Sequence, residues 1–148
     1  MTLQDRLAQE LKSAMLAREK ERLGTLRLLK SALDYAQIDK KVENLPDADV
    51  IAIVQKEVKK RRDSAHQFRA GNRPELAEKE EQEIKVLATF LPHPLSTSEL
   101  EEIVRNTIKE LAATSRKEMG AVMKAVQGKV AGRADGKTVS DMISRALS

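Results

Sequence analysis

Apolar residues recur every three or four positions along almost the whole chain, and that period leaves little choice of secondary structure. Leu3, Leu7, Leu11 and Ala14/Met15 line one side of a first helix, and Leu23, Leu26, Leu29, Leu33 and Ala36 line one side of a second. The residues between them continue neither stripe, so a break is expected near Arg18–Lys20. Nowhere do β-branched residues alternate with polar ones over the length of a strand, and no sheet is expected. The chain reads as all-α.

The segment from Lys40 to Asp49 holds a proline and capping acids and reads as a loop. Asp47 or Asp49 is placed to cap a third helix, whose face is Val50, Ile53/Val54, Val58, Ala65 and Phe68. Gly71-Asn72 ends it, and Pro74 suits the first turn of a fourth helix. That helix opens with Glu75, Glu78, Glu80 and Glu81 and finishes on Ile84, Leu87, Phe90 and Leu91. Leu91-Pro92-His93-Pro94-Leu95 then removes two backbone donors and biases the preceding residues away from helix. It reads as a stiff hinge between a larger N-terminal helical domain, residues 1–91, and a small C-terminal three-helix domain, residues 96–148. In the latter, Ser96 and Glu99 form a capping box ahead of Leu100, Ile103, Val104, Ile108 and Leu111. Ser115 and Glu118 repeat that signature ahead of Met119, Val122, Met123 and Val126. Asp135 or Thr138 caps a last helix carrying Val139, Met142, Ile143 and Leu147.

Composition narrows the function. Charged residues make up 34% of the 148, yet the net charge is only +4, so most charges belong to a balanced, solvated surface. A pI near 9.4 permits an acidic partner such as RNA without demanding one. Two Phe, one Tyr and no Trp argue against stacking single-stranded bases and against an aromatic-lined cofactor pocket, and no cofactor is expected. With no cysteine, thiol chemistry and thiolate metal sites are excluded. The N-terminus lacks the apolar core of a signal peptide and no apolar run approaches membrane-spanning length, so a cytoplasmic protein without a membrane partner is the expectation.

No catalytic constellation emerges. His66 and His93 lie in different segments without ligand-spaced partners, and no metal site is expected. Gly136-Lys137-Thr138 lacks the spacing and the preceding strand of a phosphate-binding loop. Glu78, Glu80, Glu81 and Glu83 fit a solvated helix start better than a cation site. Two basic clusters remain. Lys59, Lys60, Arg61 and Arg62, with Lys56 nearby, cover more than one turn of the third helix. Adjacent arginines diverge around the axis, and pairing with neighbouring acids accounts for such a face better than a binding patch does. The second cluster is the stretch from Met119 to Ser148, which holds four of the six glycines. Gly120, Gly128, Gly132 and Gly136 alternate there with Lys124, Lys129, Arg133 and Lys137. Glycine lets backbone amides approach a phosphate, and the basic side chains supply counter-charge. Tight turns between short helices explain the same glycines, and that alternative stays open.

These residues also carry a resemblance. Residues 119–147, together with Ala17–Ala32, Gln55–Phe68 and Ala77–Pro92, are similar to the YqeY family, whose C-terminal part resembles the tail domain of the GatB subunit of tRNA-dependent amidotransferases. The resemblance implies two helical domains and, by analogy with the GatB tail, contact with tRNA. The family bears the label of a carbon–nitrogen ligase with glutamine as amido-N-donor, although amidotransferase chemistry is housed outside the tail. The expectation is therefore a non-catalytic accessory protein that binds tRNA, or a tRNA-modifying or aminoacylation complex, through Lys124, Lys129, Arg133, Lys137 and the four glycines. A protein-interaction module that never touches RNA is the alternative.

Overall fold

The computed structural model of the protein describes residues 1–148, and all of its regular elements are helical. They are α1 (Leu3–Leu16), α2 (Lys20–Lys40), α3 (Asp47–Ala70), α4 (Pro74–Ala88), α5 (Thr97–Glu110), a 3₁₀ turn (Arg116–Glu118), α6 (Met119–Val130) and α7 (Gly136–Ala146). The chain packs as two compact units, Met1–Leu91 and Pro92–Ser148.

In the first unit, α1 starts on a complete capping box. The Thr2 hydroxyl accepts from the Asp5 amide and the Asp5 carboxylate accepts from the Thr2 amide. Those bonds to Thr2 hold the Asp5 carboxyl below its ordinary range. After Leu16 the backbone turns through Arg18 at φ 57°, and α2 begins at Lys20, so the expected break is present. The periodic faces then do what their spacing requires. Leu7, Leu26, Leu29, Leu33, Val50, Val54, Val58 and Leu87 share one buried cluster. Each such side chain contributes about 1.5–3 kcal/mol by leaving water. α3 and α4 form the most extensively packed pair, joined at Gly71-Asn72 with Pro74 in the first turn of α4. The α4 helix stops at Ala88, before the expected Phe90. Three tighter bonds, from the amides of Thr89, Phe90 and Leu91 to the carbonyls three residues back, carry Phe90 into the core. The Arg6 guanidinium lies 4.8 Å from the centre of its ring.

Asp47 and Asp49 do not cap α3 as the sequence suggested. Pro46 occupies the cap position, and neither aspartate bonds the new helix's own amides with its side chain. Asp47 instead accepts from the Leu3 amide at 2.9 Å, satisfying a free donor at the start of α1, and Asp49 pairs with Lys40 at 3.0 Å. The connection before them is fixed by a short amide relay. The Leu45 amide donates to Gln4 Oε1, Gln4 Nε2 donates to Gln37 Oε1, and Gln37 Nε2 donates to the Glu43 carbonyl. Leu45 is thereby held in the core.

The second unit builds its own core from Leu100 and Val104 of α5, Val122, Val126 and Val130 of α6, and Val139, Ile143 and Leu147 at the end of the chain. The Ser96–Glu99 capping box is formed as its sequence predicts. The second predicted box is not. Ser115 makes no side-chain cap bond, Arg116–Glu118 coil into a 3₁₀ turn, and the Glu118 carboxylate accepts from the Thr114 amide instead.

Candidate nucleic-acid interface

The glycine-basic stretch folds as α6, a left-handed turn and α7. Val122, Val126 and Val130 recur every four residues and bury one side of α6, which turns Gly120, Lys124 and Gly128 outward along the other. Gly120 and Gly128 are therefore not inter-helix turns. Both lie inside α6, and a β-carbon added at either would meet no atom within 4 Å. Only Gly132, at φ 85°, occupies the left-handed region that favours glycine. Ala131 precedes it at φ 44° and closes α6. Gly136 is the first residue of α7, whose cap is Asp135; the Asp135 carboxylate accepts from the Thr138 amide at 3.0 Å and from the Thr138 hydroxyl at 2.8 Å.

The four basic residues divide into two kinds. Lys129 Nζ donates to the Thr107 hydroxyl at 2.9 Å and to the Glu110 carboxylate at 2.8 Å. Thr107 is fully buried and itself donates to the Ile103 carbonyl, so Lys129 ties α6 to α5. Arg133 works similarly on the backbone. Its Nε donates to the His93 carbonyl at 2.8 Å, and its own carbonyl accepts from the Leu95 amide at 2.9 Å. This fastens residues 93–95 to the α6–α7 turn. Nearby, the bonds to Ser96 hold the Glu99 carboxyl below its ordinary range, and the charges of Arg133 and His93 add to that. Lys124 and Lys137, by contrast, are exposed and make no ion pair or hydrogen bond. Arg116 and Lys117, in the 3₁₀ turn just before α6, are exposed and unpaired as well.

The other basic cluster is largely used within the fold. Arg61, with 11% of its side chain exposed, bonds Glu57 and, at 3.2 Å, Glu83 of α4. Lys60 pairs with Glu57. Lys59 and Arg62 remain exposed on α3. The carboxylates of α4 are drawn into the same pairing, Glu81 with Arg69 at 2.6 Å and Glu83 with Arg61. Burial, and then the neighbouring Glu83 charge, push the Glu80 carboxyl upward. No three His, Cys, Asp or Glu side chains gather as a metal ion requires, and no helix is long and apolar enough to cross a membrane.

The family model described as Yqey-like protein matches residues 4–147. The chain belongs to the YqeY-like family. Among its relatives is an uncharacterised protein of Schizosaccharomyces pombe, 37% identical over 94 residues, which are 64% of this chain and 76% of that protein. Two others are named altered inheritance of mitochondria protein 41, mitochondrial. The one from Lachancea thermotolerans is 33% identical over 107 residues, 71% of this chain and 57% of its own length. The one from Vanderwaltozyma polyspora is 35% identical over 85 residues, covering 57% and 46%. This YqeY-like chain thus spans about half the length of those two relatives. Their names place them in mitochondria, so the family does not itself confirm the cytoplasm for this member.

Proposed function

We propose that this YqeY-like protein is a non-catalytic accessory factor that binds tRNA through the outer face of α6 and the start of α7, and that it acts where tRNA is handled in the cytoplasm. One observation carries the reading. Lys124 is unpaired and stands between two helical glycines that pack against nothing, with Lys137 unpaired at the start of α7. A sugar–phosphate backbone needs that combination: close approach to the helix, flanked by cations not already neutralised. Lys129, turned toward α5, and Arg133, bonded to the His93 carbonyl, serve to shape the unit that presents this face.

Binding of total tRNA by the full chain should weaken steeply with salt. Lys124→Ala and Lys137→Ala should each reduce the salt slope by about 1. Lys59→Ala with Arg62→Ala, at the secondary patch, should leave it unchanged. Absence of any tRNA retardation at low salt refutes the reading. It would leave the protein-interaction module, which the exposed apolar side chains of α2 favour and which recovery of one protein partner after nuclease treatment would establish. An amide transfer with glutamine as donor, the family's ligase label, would require glutamine turnover by the purified chain.

A further inference from the structure

α2 is apolar on two sides. Its inner side carries Leu26, Leu29 and Leu33 into the core, as a surface helix should. Leu28, Tyr35 and Ile38 form a second row on the outside, within about 80° of arc at 100° per residue, and Val42 follows just past the helix end, beyond the left-handed Lys41. They are 52%, 74%, 78% and 42% exposed. Scattered exposed apolar residues mean little, but a row with polar rims marks an interaction surface. The spacing says what kind. With Gly24 and Ser31 included, the row within the helix runs 24, 28, 31, 35, 38, alternating steps of four and three. That narrow repeat is the seam of a coiled-coil contact, in which large side chains enter holes on a facing helix.

We propose that the facing helix is α2 of a second copy of this chain, antiparallel, with the two-fold axis passing between Tyr35 and Ile38. Each Tyr35 then packs on the partner copy's Ile38, the two contacts nearest the axis. Charge selects both the copy and its direction. Asp34 and Lys41 border one open groove together with Gln37, Ile38, Val42 and Glu43. Both line that groove at the C-terminal end of α2, and across an antiparallel pair they meet reciprocally, Asp34 against Lys41 twice. A parallel pair would instead set Asp34 against Asp39 and is disfavoured. Asp34 bonds Lys30 at 2.8 Å through one oxygen at an exposed position, and its other oxygen remains available for the new partner. The Gln37 bond to the Glu43 carbonyl holds the groove's far wall in place before the partner arrives. The contact is short, so a weak, concentration-dependent dimer is expected.

The test is sedimentation or light scattering on the full chain from about 1 μM to about 1 mM, the range that resolves weak association. The mass should rise from 16.5 kDa toward twice that value. Asp34→Lys and Lys41→Asp should each weaken the dimer about tenfold or more. An equimolar mixture of the two variants, and the double variant alone, should both recover it. Tyr35→Glu should abolish it with the helical circular dichroism unchanged, because the side chain touches no core. Tyr35 is the sole tyrosine and there is no tryptophan, so intrinsic emission must change across the same dilution. A native chain that stays at 16.5 kDa throughout overturns the proposal. So does a dimer that ignores Tyr35→Glu, or one that the charge reversals weaken but their mixture does not restore.

Discussion

Replacing Gly120 and Gly128 by alanine separates what these glycines do for the fold from what they do for a ligand. Inside a helix, glycine costs up to about 1 kcal/mol relative to alanine, from backbone entropy. Gly120 is the second residue of α6 and Gly128 the third from its end, so each is expected to contribute a half to the whole of that amount. Neither new methyl meets an atom within 4 Å, so no packing penalty opposes the gain. The two sites are eight residues apart, about 12 Å along the helix, and their effects should add. The double variant should therefore gain about 1–2 kcal/mol, read as a higher urea midpoint at unchanged slope. A loss of stability would refute the account of open space around α6. The same variant should bind tRNA more weakly, because two methyl groups now stand where the sugar–phosphate backbone approaches. Higher stability with unchanged affinity would sink the close-approach argument and keep the helical one.

Three further outcomes are expected. Lys129→Met should cost about 1 kcal/mol by removing the donor to buried Thr107, measurable as a lower urea midpoint with little change in the salt slope of tRNA binding. Ala112→Gly should stabilise by about 0.5–1 kcal/mol, since Ala112 sits at φ 51° where a β-carbon is strained; an unchanged or lower midpoint would contradict this. The lowered Glu99 carboxyl contributes stability that is fully present above the ordinary glutamate value of 4.5 and is lost as pH falls through the depressed one. Acid titration of Glu99→Gln should lack that part of the loss, and a curve parallel to the native one would refute it.

The helices were legible because burial imposes a 3.6-residue period on whichever residues face the core. Local caps were legible where side chain and amide lie within one turn, as at Ser96–Glu99 and Asp135–Thr138. The turns were not. Arg18, Lys41, Asn72, Ala112 and Ala131 all take positive φ, and after four of them the next amide bonds a carbonyl five residues back: Ala14, Gln37, Phe68 and Ile108. Such a closing bond offsets a strain of about 1–2 kcal/mol, so the turn does not need a glycine at the left-handed position. Glycines inside α6 then look like breaks although they are not.

The candidate interface was legible in composition but not in accounting. Lys129 meets Glu110 and Thr107 nineteen and twenty-two residues away, and Arg61 meets Glu83 at a separation of twenty-two. No short-range pattern encodes such partners, so sequence spacing treats every cation alike. Pairing matters because counterion release counts only charge that a phosphate can still neutralise. If Lys129 and Arg133 keep their internal bonds on binding, the salt slope of the native chain reflects Lys124, Lys137 and the neighbouring Arg116 and Lys117. A slope of about 4 or less is then expected, and a much steeper one would mean that the Lys129 and Arg133 bonds open to let phosphate in.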